Sequence, residues 1–205
     1  MKKRYITAVC CLLAAVLTSL CASLQAQQQR LAEKLIRLHV VANSDTREDQ
    51  RVKLLVRDAV LETANGLLRD AQNPEAALQT GLPELERAAN EKLASLASLG
   101  CEETASVSLR RELFPTREYE TFRLPAGVYR TLRVSIGQAG GHNWWCVVFP
   151  ALCLPAAEED FTEACRAAGL TDQEISVLTE DTGEVELEFR TLEWLGKLKK
   201  MLWDA

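Results

Sequence analysis

Along this chain, segments with the apolar spacing of helices precede a block of segments with the pattern of strands, and this order limits the folds that the chain can adopt. After a short β-rich run at 35–42, apolar residues recur at helical spacing over 46–68 and again over 82–99. From Ala105 onwards, short apolar runs are separated by proline and glycine, which is typical of strands. Because helices followed by a block of strands are typical of α+β proteins, we expect a single α+β domain over 31–205, in which an antiparallel sheet packs with several helices.

Local signals set the expected bounds of these elements. Asp45 and Glu48 have the spacing of a capping box and predict the start of a helix. Asn73 followed by Pro74 predicts a second, short helix. The glycine-rich run 137–141 does not match a phosphate-binding motif and predicts a turn. The predicted strands are 105–113, 119–123, 128–136 and 144–149, followed by a helix at 158–168, a hairpin of 175–178 with 184–189, and a helix at 192–203.

The N-terminus has the pattern of a secretory signal. Lys2, Lys3 and Arg4 form a positive segment, residues 5–24 carry no charge, and small residues occur up to Ala26. The uncharged stretch is also almost long enough to span a membrane, so 1–26 is interpreted as a cleaved signal peptide or as a retained anchor helix. In both cases the positive segment stays in the cytoplasm and the domain that follows is exported.

Composition and charge limit the classes of partner. The apolar content of 47% and the charged content of 26% are typical of a globular protein. The formal net charge of −5 combines three basic residues in the first 26 positions with −8 in the remainder. Because nucleic-acid binding needs a basic face, we expect no nucleic-acid partner.

The predicted helix 192–203 has a lysine-rich side and an apolar side. In one interpretation this helix docks on a membrane surface or on a partner. In the other, its apolar side covers the sheet and its lysines face solvent.

Export changes the interpretation of the cysteines. The exported domain has four: Cys101, Cys146, Cys153 and Cys165. In an oxidising compartment four cysteines allow three pairings. Cys146 with Cys153 is the local candidate for a disulfide, and Cys101 with Cys165 is the long-range candidate. The alternative is that these cysteines are reduced and buried in the core.

The run 140–153 concentrates residues that bear chemistry. It contains His142, Trp144, Trp145 and Cys146. On one strand His142 and Cys146 would lie about 13 Å apart, too far for proton transfer in a Cys–His catalytic pair. Outside the leader the cysteines and histidines lack the short spacing of zinc ligands, so we expect no metal and no other cofactor. Adjacent tryptophans suit either core packing or a partner-binding interface.

Several ordered blocks resemble a known family. The earlier block begins at Leu35 and continues through the predicted helix start, and the later block ends at Cys153. Together they are similar to the two signatures of the stage II sporulation protein R family, and the resemblance covers roughly residues 31–155. The segments that carry it are 35–45, 48–50, 53–61, 124–129, 132–137 and 141–153.

The resemblance implies a secreted signal between cells and not an enzyme. Proteins of this family are made in the forespore of endospore-forming bacteria and exported into the space between the forespore and mother-cell membranes. There they activate a membrane-embedded aspartic protease, which processes the precursor of the mother-cell sigma factor E. The expected partner is therefore this protease, and the resemblance implies neither a small-molecule substrate nor catalytic residues.

We expect the partner-binding surface to include two parts of these signatures. One is the helix start at Asn43, Ser44 and Asp45, and the other is the block His142, Asn143, Trp144 and Trp145. A rival hypothesis is a secreted cell-wall or peptide hydrolase that uses Cys146 and a histidine. A third is a structural protein of the sporulation septum without a switching role.

Overall fold

The computed structural model describes residues 2–97, 102–119, 121–153 and 158–179 of the chain. These residues form six helices and six strands in one α+β domain. In chain order the elements are α1 Lys2–Lys34, β1 Ile36–Val41, α2 Arg47–Leu68, α3 Pro74–Thr80, α4 Leu82–Ser95, β2 Ala105–Phe114, β3 Arg117–Glu118, β4 Arg123–Leu124, β5 Gly127–Ile136, β6 Asn143–Phe149, α5 Glu158–Ala167 and α6 Asp172–Thr179.

The main sheet has four strands in the order β2-β5-β1-β6 and is mixed. β1 pairs with β6 in antiparallel fashion and β5 pairs with β2 in antiparallel fashion, but β1 and β5 are parallel. The prediction of a purely antiparallel sheet is therefore wrong for the central pair. A parallel pair needs a long crossover, and residues 42–126 provide one because they include α2, α3 and α4.

One face of the sheet is covered by the helices that follow β1. Side chains that alternate along the strands, such as Leu38 and Leu132, pack with apolar residues of the helices, such as Val56 and Leu85, and all four are fully buried. This alternation is the period of two expected when one face of a strand is buried. We call this cluster the first core. Its other members include Val40, Val60, Ala64, Leu78, Ala89, Leu93, Val107, Val134, Ile136 and Val148.

The opposite face is divided into two halves. One half is apolar, and the end of α1, the helices α5 and α6, and the short β3–β4 pair supply its core residues. We call this apolar cluster the second core, and its buried members include Leu31, Phe114, Tyr129, Phe161 and Leu178. The other half is polar, and on β2 the serines and arginine at 106, 108 and 110 are exposed. Within the described part of the chain, this half of the sheet is not covered by another layer.

Several predicted element bounds are confirmed and others are wrong. The Asn73 side chain caps α3 by accepting a hydrogen bond from the Ala76 amide, as expected for this cap. For α2 the N-cap is Thr46 and not Asp45, because the Thr46 hydroxyl accepts from the Asp49 amide. The single strand predicted at 119–123 is replaced by the two-residue strands β3 and β4, which pair with each other.

The end of the described chain also differs from the sequence prediction. Residues 175–178 belong to α6, where Ile175 and Leu178 are buried, so they do not form the first arm of a hairpin. Because these residues repeat with helical spacing and face the second core, helix is the better packed arrangement. The second arm at 184–189 and the helix at 192–203 lie outside the described residues.

The N-terminal segment is a single helix, α1, of 33 residues. Its last turns enter the second core, where Leu31 and Ala32 are buried. Further towards the N-terminus the side chains of Leu12, Val16 and Leu17 are exposed. Among the helices of the described part of the chain, none combines the length and apolarity of a membrane span.

The local disulfide prediction is confirmed. Cys146 at the centre of β6 is bonded to Cys153, and their Cα atoms are 5.2 Å apart. A turn after β6 brings the chain back, and the Leu152 amide donates to the Val147 carbonyl. Cys165 is free and buried, and burial raises the pKa of its thiol to about 11. Its predicted partner, Cys101, lies outside the described residues.

We predict that Leu38→Ala lowers the free energy of unfolding by about 2–5 kcal/mol, because it leaves a cavity at the fully buried centre of β1. Urea denaturation followed by circular dichroism measures the change. Leu113→Ala is the matched control, since this leucine is 63% exposed on β2, and it should change stability by less than about 0.5 kcal/mol. Equal effects of the two substitutions would contradict the assigned core.

Candidate partner-binding surface

Two loops from distant parts of the sequence lie side by side at one end of the sheet. Residues 43–45 leave the end of β1, and residues 137–142 lead into the start of β6. They meet because β1 and β6 are antiparallel neighbours, in which Val41 lies opposite Asn143. We call residues 43–45 together with 137–143 the loop junction. It contains five of the seven residues that the sequence predicts for partner binding.

Backbone hydrogen bonds hold the loop junction together. The Gly140 amide donates to the Asn43 carbonyl over 3.1 Å, and the Gly141 amide donates to the Ala42 carbonyl over 3.0 Å. The Gln138 amide donates to the Asn43 side-chain oxygen over 3.0 Å. Because backbone amides are strong hydrogen-bond donors, these three bonds fix the second loop on the first.

Glycine is required where the loops approach most closely. At Gly141 a Cβ atom would overlap the Ser44 carbonyl oxygen, which is backbone and cannot move aside easily. Gly137 has a φ of +54° and lies against the Asn43 side chain, so a larger residue would meet both backbone strain and a clash. The turn predicted at 137–141 is confirmed, and its glycines allow close contact rather than flexibility alone.

The first turns of α2 connect both loops. The Gln50 side-chain amide donates to the Ser44 carbonyl over 2.9 Å. The Asn43 side-chain amide donates to the Asp49 carboxylate over 3.2 Å. The Lys53 ammonium donates to the His142 carbonyl over 3.1 Å and to the Gln50 side chain over 2.6 Å. Lys53 is 5% exposed, and burial lowers the pKa of its ammonium group.

The outermost pair of the loop junction is Asp45 with His142. The Asp45 carboxylate accepts from the His142 amide over 2.6 Å and also contacts the ring nitrogen Nδ1 of that histidine. The hydrogen bond from the His142 amide is the main reason why the pKa of Asp45 is below its ordinary value. The side chains are 56% and 76% exposed, so both are available to a partner.

The two tryptophans diverge from the loop junction to opposite faces of the sheet. Trp144 packs against the first core, and the Arg57 guanidinium lies 4.3 Å from the centre of its ring. Trp145 packs against the second core, with the Arg117 guanidinium at 4.3 Å. Both are half-buried, so their indole rings mainly connect the loop junction to the two cores.

A polar cluster on the open half of the second face contacts the loop junction. His39 lies on the central strand β1 and is 8% exposed. Its Nδ1 atom is 2.6 Å from a Glu112 oxygen and its Nε2 atom is 2.8 Å from the Asn143 side-chain oxygen. Glu112 also forms ion pairs with Arg110 and Arg133. We call His39, Glu112, Arg133 and Asn143 the polar cluster.

The polar cluster could not be identified from the sequence, because it depends on the strand order. Arg133 lies opposite His39 only because β5 is the parallel neighbour of β1. One signal was present: polar residues at 106, 108, 110 and 112 alternate along β2 and indicate an open face.

Burial acts to raise the pKa of Glu112, but hydrogen bonds from His39 and Arg110 outweigh it and hold the pKa below its ordinary value.

The cysteine and the two histidines that the sequence singles out are all engaged with other protein groups. Cys146 forms a disulfide, so its sulfur is not a free thiol nucleophile. His142 contacts an aspartate, and His39 contacts a glutamate and an asparagine. Within the residues that the structure describes, no group of three His, Cys, Asp or Glu side chains is placed to hold a metal ion.

Comparison with known proteins decides the family. The sequence model of stage II sporulation protein R matches residues 32–159, which include β1, the loop junction and β6. The chain belongs to the stage II sporulation protein R family. Stage II sporulation protein R of Bacillus subtilis (strain 168) is 35% identical over 127 residues, which are 60% of this chain and 55% of that protein. The match therefore spans about half the length of this relative. No solved structure matches the chain.

We predict that Gly141→Ala destabilises the protein by about 1–3 kcal/mol, because the added methyl group displaces the Ser44 backbone. Gly66→Ala is the matched control: nothing lies within 4 Å of its added Cβ on α2, and alanine is favoured over glycine in a helix by about 0.5–1 kcal/mol. Urea denaturation of the two variants measures both effects. Stabilisation by both substitutions would show that the loops do not pack as described.

We predict that Glu112→Gln costs about 1–2 kcal/mol at pH 7, because it removes the charged acceptor of His39 and two arginines. Since the folded pKa of Glu112 is below the ordinary 4.5, its stabilisation is present above 4.5 and is lost as the pH falls through the folded value. The stability difference between wild type and variant should therefore shrink on acidification. Denaturation at a series of pH values measures it.

Glu91→Gln provides the control for this pH series. Glu91 forms an ion pair with Arg87 on α4, but its side chain is 64% exposed. Because exposed pairs contribute little, its substitution should change stability by less than about 1 kcal/mol at any pH. A Glu112→Gln curve parallel to that of wild type at all pH values would contradict the assigned role of the carboxylate.

Proposed function

We propose that this protein is a secreted signal from forespore to mother cell that activates a membrane-embedded aspartic protease, which then processes the sigma-E precursor. The observation that carries the proposal is that the two signatures of the family meet in one place. Residues 43–45 and 137–143 are held together by backbone hydrogen bonds and expose their outermost polar groups. A fixed, solvent-facing surface of this kind suits recognition of another protein.

The proposed site of action is the space between the forespore and mother-cell membranes. Two features support export. The first is the positive segment followed by the uncharged residues 5–24, which has the pattern of a signal sequence. The second is the disulfide between Cys146 and Cys153, because disulfides persist in oxidising compartments outside the cytoplasm.

The proposed contact surface is the exposed part of the loop junction. Asp45, His142 and Asn143 present their side chains to solvent, whereas Asn43 and Ser44 mainly hold the backbone in place. Trp144 and Trp145 contribute the exposed parts of their half-buried rings and keep the surface attached to the cores. The main determinant is therefore proposed to be a polar group of side chains with aromatic neighbours.

The rival hydrolase hypothesis receives little support. It requires a Cys146 thiolate, but this sulfur is bonded to Cys153. In both comparisons the chain resembles a sporulation family. We therefore propose that the protein acts by binding and has no catalytic residues of its own.

We predict that Asp45→Ala reduces sigma-E processing about tenfold or more, the effect expected when a central interface contact is truncated. The assay uses cells that carry the protease and the sigma-factor precursor and receive the signalling protein as their only variable component. Asp172→Ala is the matched control, because Asp172 is also exposed and ion-paired, with Arg166, but lies on α6.

Circular dichroism establishes that both variants fold. Processing at the wild-type level by folded Asp45→Ala would remove the Asp45–His142 pair from the proposed interface. Failure of the wild-type protein itself to trigger processing would contradict the proposed signalling role.

A further inference from the structure

The outer edge of β2 is protected along its first half by side chains of α4. Within the described residues β2 pairs with β5 alone, so alternate residues of β2 direct their backbone groups away from the sheet. The Ala105 amide donates to the Asn90 side-chain oxygen over 2.9 Å, and the Asn90 amide donates to the Ala105 carbonyl over 2.8 Å. The Val107 amide donates to the Glu86 carboxylate over 2.9 Å. These side chains take the place of a further strand.

The second half of this edge is open. Because β2 pairs with β5 continuously from Ala105 to Phe114, the backbone groups of Leu109, Arg111 and Leu113 point to the same edge as those of Ala105. Among the described residues, no α4 side chain or neighbouring backbone group bonds to them there. Unpaired groups along an edge strand form a template for another strand. We call residues 109–113 the open edge.

The two faces of the open edge differ in character. On the side of the first core, Leu113 is 63% exposed and lies opposite Val128, which is 51% exposed. On the other side, the guanidinium group of Arg110 is half-exposed. Cross-strand neighbours on one face stabilise a sheet when apolar groups meet or when opposite charges meet. The strand that fits this edge therefore alternates apolar residues with acidic residues.

The segment 184–189, which lies outside the described residues, has this alternation. Its sequence is Glu-Val-Glu-Leu-Glu-Phe, so one face of an extended strand would be apolar and the other acidic. It follows α6, which ends at Thr179 and packs against β4. β4 pairs with β3, and β3 begins three residues after the end of β2. The intervening residues 180–183 can span about 13–14 Å.

We propose that the segment 184–189 docks on the open edge of β2 as a fifth strand of the main sheet. It enters from the Phe114 end of β2 and so runs antiparallel to this strand. Val185, Leu187 and Phe189 exchange backbone hydrogen bonds with the open edge and share the face of Leu113, while the glutamates share the face of Arg110. The inference is independent of the proposed signalling role.

The docked segment has a protective function at the edge. An open edge strand with exposed apolar side chains promotes pairing with other molecules, and covering the edge prevents it. The segment also gains a partner that the sequence-based hairpin cannot supply, because residues 175–178 belong to the helix α6.

Amide hydrogen exchange of the full-length chain, followed by NMR, tests the proposal. We expect the amides of Leu109, Arg111 and Leu113 to be protected in wild type. Leu187→Pro removes a strand amide and should accelerate their exchange about tenfold or more. Lys197→Pro is the matched control, because it places proline beyond the segment and should leave these three rates unchanged. The amides of Ala105 and Val107 have side-chain partners on α4 and serve as the internal reference.

Three results would overturn the proposal. Rapid exchange at the open edge in wild type would show that nothing covers it. Protection that persists in Leu187→Pro would show that another part of the chain covers it. Protection that disappears on dilution would assign the edge to a second copy of the chain.

A second measurement needs no variant. In wild type we expect nuclear Overhauser effects between backbone protons of 109–113 and those of 185–189, and their absence would equally contradict the docked strand. This measurement decides the question even where Leu187→Pro loses the protection of the Ala105 and Val107 amides and is therefore unfolded.

Discussion

The pairing of β1 with β5 on one side and with β6 on the other determines which distant segments of the chain meet. β1 is the second element of the chain, yet its two neighbours are the last two strands of the described residues. This arrangement brings the residues that leave β1 next to the residues that enter β6, and it places His39 opposite Arg133. Both the loop junction and the polar cluster exist only because these strands pair.

The central strand is stable in this position because its two faces have different surroundings. Leu38 and Val40 are fully buried in the core that the sheet forms with the helices, and their burial contributes hydrophobic stabilisation. On the other face Arg37 lies 3.8 Å from the Phe114 ring and donates to the Tyr119 hydroxyl, while His39 has a carboxylate partner. His39 is thus placed beside a charge, whereas the buried Arg37 guanidinium relies on aromatic rings and one hydroxyl group, and its Nε and Nη1 atoms have no hydrogen-bond partner among the described residues.

Much of the fold could be predicted from local pattern, because local pattern reports which face of an element is buried. The apolar spacing in α2, the cap at Asn73 and the turn at 137–141 all follow from short stretches of sequence. The disulfide between Cys146 and Cys153 could be proposed because the two residues are only seven positions apart.

What could not be predicted depends on which strands become neighbours. The parallel pairing of β1 with β5 is set by the crossover through the helices, and no single segment encodes it. The same holds for the contacts of His39 with Glu112 and Asn143, which are separated from it by 73 and 104 positions. Asp45 was expected to cap a helix, but His142, 97 positions away, provides its hydrogen-bond donor. Residues important for the site were therefore missed wherever their partners are remote in sequence.

The proposed function requires that the loop junction is the surface that contacts the membrane-embedded protease. Site-specific photocrosslinking tests it most directly: a photoreactive residue is placed at position 142 of the junction or at position 172 of α6, both of which are exposed. The account predicts a covalent adduct with the protease from position 142 and none from position 172. An adduct from position 172 alone, in protein that still triggers processing, would contradict it.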